Sequence, residues 1–169
     1  RHFLVEPRLR DALRRDPSFS QAQVALAQWL DSNNRSGEAS RLLDDAIKRQ
    51  PDVALLRHAR GLAMIRRGQR EAALEELTEA SRLQPANAHY RYVLAVALHD
   101  AAKRQAAVKQ LEALLRIQPA NRMARLTLID FLTEMGRKSE AQKLRVELSL
   151  LNPGDPALAE DSAGGPPDT

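Results

Sequence analysis

The sequence predicts an all-α fold of stacked antiparallel helix pairs, and a recurring proline is the main evidence. This residue returns at intervals of thirty-four positions, at Pro17, Pro51, Pro85, Pro119 and Pro153. Two apolar patterns of helical period lie between successive prolines, and a fixed period of this length is typical of repeat proteins. Because proline cannot continue a helix, each one is expected to follow the end of a second helix.

The first segment, residues 1–19, is expected to be the second helix of a truncated repeat. Leu9, Ala12 and Leu13 precede Pro17 at the helical spacing found before the later prolines. This interpretation leaves two alternatives, further repeats upstream or a single helix that caps the stack. We favour the first, and we expect the parent to be a larger bacterial protein.

Four complete repeats are expected to follow, over residues 20–53, 54–87, 88–121 and 122–155. The turns inside these repeats fall at Asn33-Asn34, Arg67-Gly68, Ala101-Ala102 and Met135-Gly136. Gly and Asn tolerate the left-handed conformation that ends a helix, whereas Ala102 adopts it at a cost of roughly 1 kcal/mol unless its turn takes another form. Asp52, Asn87 and Asn121 come soon after the prolines and are expected to cap the next helices.

The last segment, residues 156–169, is expected to be a short cap or a disordered tail. Asp155-Pro156 repeats the signal that starts a helix, but only residues 157–162 could continue it. Residues 163–169 contain Gly-Gly-Pro-Pro, a composition typical of disorder.

Small residues recur at fixed positions in both helices of the repeat. They are Ala27, Gly61 and Ala95 in the first helices, and Ala39, Ala73, Ala107 and Ala141 in the second helices. Side chains this small allow two helices to cross closely. Together with the period and the closing proline, this spacing resembles the tetratricopeptide repeat, a helix-turn-helix unit. The resemblance covers residues 20–155 and implies a right-handed α-α superhelix, a solenoid of stacked helix pairs.

Several positions depart from the pattern of that family. Where the family often has a bulky tryptophan, this chain has Gln23, Arg57, Arg91 and Arg125. Arg60 and Arg145 also occupy packing positions, and both are expected to reach solvent because a buried unpaired arginine is costly. Trp29 is expected to pack against the neighbouring helix.

The composition bounds the function. The 169 residues are 43% hydrophobic and 28% charged, as in an ordinary soluble domain, and the net charge of +4 is too mild to favour nucleic acid as a partner. The absence of cysteine excludes disulfides, thiolate metal ligands and thiol nucleophiles from this chain. The sequence has no apolar run long enough for a membrane span and no signal-peptide pattern. The compartment stays open between the bacterial periplasm and the cytoplasm.

A search for catalytic motifs finds no nucleotide-binding glycine loop, no ordered Ser-His-Asp set and no His-x-x-x-His pair. We therefore expect no enzyme activity, no cofactor and no metal. The carboxylates of one helix, Glu71, Glu75, Glu76 and Glu79, are interpreted as a solvated face. The same interpretation applies to the basic residues at the turns, Arg66, Arg67, Arg70, Lys103, Arg104, Arg137 and Lys138. A site for nucleic acid would usually interleave stacking aromatic residues with such a stripe.

The resemblance implies that the first helices line a concave groove. The side chains expected to face it are Val24, Gln28, Leu55, His58, Leu62, Ile65, His89, Tyr92, Val96, His99, Met123, Leu126 and Asp130. Apolar residues with a polar rim suit an extended or helical peptide. The predicted function is a non-enzymatic protein-protein interaction scaffold, although some of these residues could belong to the core of a tightly wound stack.

Three further hypotheses stay open. If His58 and His89 meet across adjacent repeats, they could bind a metal ion or respond to pH. The third repeat, from Ala88 to His99, is similar to repeats that follow multi-haem cytochromes of bacterial envelopes, so the chain could be an accessory arm of a larger enzyme or electron carrier. Self-association could use the ends of the stack, through Leu9, Leu13, Leu148 and Leu151.

Overall fold

The computed structural model describes residues 2–159 of the chain, with side chains from residue 3 onward. Pro156–Leu158 forms a single 3-10 turn, and the helical continuation expected over residues 157–162 extends past the described part. The disordered tail expected over residues 163–169 lies outside it.

Nine α-helices account for most of the described residues, with 3-10 turns at His2–Leu4 and Pro156–Leu158. The helices are α1 (Val5–Arg15), α2 (Ser20–Ser32), α3 (Ser36–Arg49), α4 (Ala54–Arg66), α5 (Arg70–Leu83), α6 (Ala88–Asp100), α7 (Arg104–Ile117), α8 (Arg122–Glu134) and α9 (Lys138–Leu151). Residues 2–159 contain no strand, so the predicted all-α class is confirmed.

The chain forms two compact units, an amino-terminal unit through Leu94 and a carboxyl-terminal unit from Ala95. α6 contributes its first half to the amino-terminal unit and its second half to the carboxyl-terminal unit. In the amino-terminal unit α2 pairs with α3 and α4 pairs with α5, and in the carboxyl-terminal unit α8 packs on both α7 and α9. Each unit is therefore built from helix pairs joined by short turns.

The recurring prolines stand two residues after the ends of α1, α3, α5, α7 and α9, as predicted. The carbonyl groups of the first four prolines also accept hydrogen bonds, which were not among the predicted features. The donors are the side chains six residues later in the next helix: Gln23 to Pro17 at 2.8 Å, Arg57 to Pro51 at 3.1 Å, Arg91 to Pro85 at 2.9 Å, and Arg125 to Pro119. These donors are the residues that replace the bulky tryptophan of the family, so a polar link joins the turn to the first helix at this position.

The turns inside the repeats all contain one residue in the left-handed conformation. The φ angle is 61° at both Asn34 and Ala102, 75° at Gly68 and 73° at Gly136. The next residue then donates its backbone N–H to a carbonyl five positions earlier, as Lys103 does to Leu98 at 2.8 Å. This bond satisfies one of the carbonyls left free at a helix end. Ala102 therefore adopts the left-handed form.

Helix caps depend on the second residue after each proline. Asn87 accepts from the backbone N–H of Tyr90 at 3.1 Å, and Asn121 accepts from that of Ala124 at 2.9 Å, as expected. The expectation for Asp52 is wrong, because Asp52 lies one residue too early and Val53 occupies the N-cap position without a side-chain bond.

The small residues at the helix crossings lie in the core. All seven are buried: Ala27, Ala39, Gly61, Ala73, Ala95, Ala107 and Ala141. A Cβ atom on Gly61 would lie 2.8 Å from Cγ of Leu77 and 3.3 Å from the carbonyl oxygen of Ala73. No side chain fits between α4 and α5 at this crossing, because real Cβ atoms do not approach a carbon of a neighbouring side chain so closely.

The interpretation of the acidic run on α5 as a solvated face is wrong for one member. Glu76 is only 8% exposed, because it lies on the side of α5 that faces α4. Arg60 donates to it at 2.6 Å and also to Asp44 of α3 at 2.9 Å. Burial alone would lower the pKa of Arg60, but these two hydrogen bonds raise it above its usual value. Arg60 is therefore paired with carboxylates of α3 and α5 while its side chain stays 22% exposed, and Arg145 is half-buried.

Candidate functional site

The predicted groove residues fall on two surfaces, one in each unit. The amino-terminal face comprises Val24, Gln28, Leu55, His58, Leu62, Ile65, His89 and Tyr92, on α2, α4 and the first half of α6. The carboxyl-terminal face comprises Val96, His99, Met123, Leu126 and Asp130, on the second half of α6 and on α8. The spacing of three or four residues within each helix places these residues on a common side.

Two residues of the amino-terminal face are buried. Val24 belongs to the apolar cluster of α2, α3 and α4, and His58 is only 6% exposed. The alternative that some groove residues belong to the core therefore applies to these two. Leu55, Leu62 and Tyr92 are half-buried, whereas Gln28, Ile65 and His89 are exposed.

Three aromatic rings meet where α4 approaches α6. The ring of His58 stacks on Tyr90 with centroids 4.4 Å apart. The rings of His58 and His89 meet edge to face, with centroids 5.4 Å apart. Both ring nitrogens of His58 are buried without a hydrogen-bond partner. Burial, and then the neighbouring His89, lower the pKa of His58 to about 4. The two histidines do adjoin, but the described residues contain no group of three or more side chains that could hold a metal ion.

A carboxylate at the edge of the amino-terminal face is paired with two arginines. Asp31 of α2 accepts from Arg66 and from Arg67 at the end of α4, both at 2.9 Å. Partial burial raises the pKa of Asp31, but hydrogen bonds from Arg66, Arg67 and Ser36 outweigh it and lower the pKa overall. Arg66 and Arg67, two of the basic residues at this turn, therefore form ion pairs that connect α2 and α4 within the chain.

The carboxyl-terminal face combines apolar and acidic groups. Met123 is 62% exposed, and Leu126 and Val96 are half-buried. The ring of His99 lies flat on Phe131, with centroids 3.9 Å apart and an interplanar angle of 4°. Its Nε2 atom is 2.6 Å from Glu134, and its Nδ1 atom is 3.8 Å from Asp100. His99 therefore joins the ends of α6 and α8 through one stacked ring and one hydrogen bond.

An open cleft that was not predicted from the sequence lies among α7, α8 and α9 of the carboxyl-terminal unit. It has a volume of about 480 Å³ and is lined by Leu115, Leu128, Leu132 and Leu144 together with charged residues of α7 and α9. Leu128 and Leu144 stand two repeats after Arg60 and Glu76. Two leucines of the cleft therefore occupy the positions that hold an ion pair in the amino-terminal unit.

The first described residues and α9 expose apolar side chains, and Leu151 is the predicted one among them. Leu148 is buried, and Leu9 and Leu13 are half-buried against the core of the amino-terminal unit. Leu151 is exposed as predicted, together with Phe3, Leu4, Val146 and Leu150.

Comparison with known proteins defines the class. Models of the tetratricopeptide repeat match residues 58–104 and residues 98–160. The chain belongs to the tetratricopeptide repeat family, which supports a role as a protein-interaction scaffold. No curated protein matches the chain.

Solved structures support the same fold. A crystal structure of MamA has a TM-score of 0.71 at 18% identity, with 93% of this chain and 88% of that chain covered. YrrB, described as a tetratricopeptide repeat protein with an unusual peptide-binding site, has a TM-score of 0.68 at 18% identity, with 92% and 79% covered. A human IFIT1 dimer with m7Gppp-AAAA has a TM-score of 0.64 at 20% identity, but only 34% of that chain is covered. The tetratricopeptide-like solenoid class is thereby confirmed. Separately, none of the described helices has the length and apolar character that a membrane span requires.

Proposed function

We propose that the chain is a non-enzymatic scaffold and that each of its two faces, the amino-terminal and the carboxyl-terminal, binds a peptide segment of a partner protein. The observation that carries this proposal is the apolar surface on both. Ile65, Leu62 and Tyr92 keep exposed or half-exposed side chains on one face, and Met123 and Leu126 do so on the other. Apolar side chains presented on one side of neighbouring helices are suitable anchors for a partner segment.

The polar neighbours of these anchors would orient the segment. Gln28 and His89 are exposed beside the apolar residues of the amino-terminal face, and Asp130 is exposed on the carboxyl-terminal face. An apolar centre with a polar rim is the usual arrangement at interfaces, where a few anchors supply most of the binding energy. The peptide-binding site named for YrrB is consistent with this use of the fold.

The experiment is a selection of peptides from a random display library on the immobilised chain. Selected peptides are then titrated against Leu62→Glu and Leu126→Glu, which place a charge within each face. Ile117→Glu and Val146→Glu are the controls, because these residues are exposed and apolar but lie on α7 and α9. We expect a loss of at least tenfold in affinity for one or both face variants and less than twofold for the controls. The proposal would be overturned if the selected peptides lost affinity for the control variants and kept it for the face variants.

A second candidate function is self-association through the ends of the stack. Leu150 is 78% exposed on α9, and Phe3 is 87% exposed before α1, so both ends present large apolar side chains. Sedimentation of the wild type and of Leu150→Glu at several concentrations tests it. A monomer at every concentration would exclude this function.

A further inference from the structure

A group of exposed carboxylates lies at and beside one end of the carboxyl-terminal face. Asp100 is 66% exposed and Glu134 is 52% exposed, and His99 lies between them. Asp130 is also exposed and precedes Glu134 by one helical turn on α8. Among the described residues, no arginine or lysine lies within ion-pair distance of these three carboxylates. The other end of the same face carries the exposed side chain of Met123.

The amino-terminal face shows that this charge is not a general property of the repeat. There, the carboxylate of Asp31 is paired with both Arg66 and Arg67. Arg66 stands thirty-four residues before Asp100 and sixty-eight before Glu134, so the cation of one face is replaced by two anions on the other. Of the two faces, the carboxyl-terminal one is therefore the face whose carboxylates have no lysine or arginine partner among the described residues.

We propose that the carboxyl-terminal face binds a basic peptide segment, with lysine or arginine at Asp100, Asp130 and Glu134 and an apolar side chain on Met123 and Leu126. This inference rests on the proposed function and specifies the partner of one of its two faces. Charge complementarity selects the occupant, because an exposed carboxylate cluster beside an apolar surface attracts cations and repels acidic segments. Stacked on Phe131, His99 holds Glu134 in place for this contact.

The helix geometry sets the spacing that the partner needs. Met123 lies seven residues before Asp130 and eleven before Glu134, which corresponds to roughly 10 to 17 Å along α8. A helical partner spans this distance with about seven to eleven residues, and an extended partner with about three to five. The basic residues of a bound segment are therefore expected at one of these two separations from its apolar anchor.

The probes are fluorescein-labelled peptides in an Ala-Gln background, with two leucines and three lysines separated by the helical or the extended spacing. Each is made in both chain directions, and its counterpart carries glutamate in place of lysine. Anisotropy at low and high salt measures binding to the chain. We expect at least one lysine peptide to bind with a salt-dependent affinity and every glutamate counterpart to bind at least tenfold more weakly. Equal binding of both peptide types would overturn the inference.

Matched variants locate the binding. The triple variant Asp100→Asn, Asp130→Asn, Glu134→Gln is expected to weaken the lysine peptide at least tenfold. The control triple Asp45→Asn, Asp52→Asn, Glu75→Gln changes the net charge equally at exposed carboxylates elsewhere and is expected to change affinity less than twofold. An equal effect of both triples would show unspecific attraction and would contradict the inference. If no lysine peptide binds while library-selected peptides still depend on Leu126, the basic partner is wrong and the proposed function stands.

Discussion

Arg60 donates to Glu76 across 2.6 Å, and this ion pair joins α4 to α5 inside the amino-terminal unit. Two repeats later the same positions hold Leu128 and Leu144, which line an open cleft. Equivalent positions of two repeats are therefore filled by an ion pair in one repeat and by two leucines in the other.

This comparison predicts the outcome of replacing the pair. Glu76→Leu alone leaves Arg60 without its main partner and is expected to destabilise the fold by about 2 to 4 kcal/mol. The double variant Arg60→Leu, Glu76→Leu copies the two leucines and is expected to recover most of that loss. Urea unfolding monitored by circular dichroism measures both. Glu75→Leu, on the exposed side of the same helix, is the control and is expected to stay within about 0.5 kcal/mol of the wild type. A double variant no more stable than the single one would contradict the account.

Gly61 is expected to be intolerant of any side chain. Although alanine favours a helix over glycine by about 1 kcal/mol, its Cβ atom would meet the fully buried Leu77. Overpacking of this kind costs about 1 to 3 kcal/mol, so Gly61→Ala should destabilise the amino-terminal unit. Gly37→Ala, where no atom lies within 4 Å of the added Cβ, is the matched control and should be neutral or stabilising. Similar unfolding midpoints for the two variants would contradict the close contact between α4 and α5 at Gly61.

The left-handed turn at Ala102 predicts a stabilising substitution. Its φ angle of 61° costs an alanine about 1 kcal/mol, and Ala102→Gly should recover about half of this or more after the entropy of the unfolded glycine is subtracted. The reverse change at the equivalent turn, Gly68→Ala, should cost about 1 kcal/mol. Thermal unfolding of both variants tests the pair, and a shift of the same sign in both would contradict the turn geometry.

The buried ring of His58 predicts a loss of stability in mild acid. Its pKa of about 4 in the fold lies below the usual 6.5, so the unfolded chain binds the proton more readily. The contribution of the neutral His58 ring to the free energy of unfolding is therefore fully present above about pH 6.5, and it is lost as the pH falls from about 6.5 to about 4. Between pH 7.5 and pH 5 this amounts to about 2 kcal/mol.

The variant His58→Phe isolates this contribution, because phenylalanine can also stack on Tyr90 but cannot be protonated. Its unfolding free energy should fall by about 2 kcal/mol less than that of the wild type over the same pH range. Titration of carboxylates affects both proteins alike and cancels in the difference. Parallel pH profiles would show that His58 is not the group responsible.

The sequence predicted the features that depend on local chemistry and missed those that depend on helix rotation. The prolines and the left-handed turns are local, since each follows from what one residue type can or cannot do. The burial of Glu76 could not be read from its helix, because Glu75 beside it is exposed and only the position of α4 distinguishes the two. The cap expected at Asp52 failed for a local reason, because Asp52 stands one residue after its proline whereas Asn87 and Asn121 stand two residues after theirs.

The candidate site shows the same limit. Leu62 and Ile65 were expected on a groove and do keep exposed surface, whereas Val24 and His58 at equivalent helical spacing are buried. Positions that face a groove and positions that face the next helix differ by a small rotation, which periodicity does not resolve. The proximity of Asp100 and Glu134 could not be predicted from the sequence, because these residues lie on different helices and both contact His99 only in the folded chain.

Nuclear magnetic resonance mapping of a library-selected peptide on the labelled chain tests the central claim most directly. If the first helices form the binding surface, amide and methyl shifts should concentrate in α2, α4, α6 and α8, with Leu62, Tyr92, Met123 or Leu126 among the most affected residues. Shifts confined to α3, α5, α7 and α9, with α4 and α8 unchanged, would contradict it and place binding on the opposite side of the helix pairs.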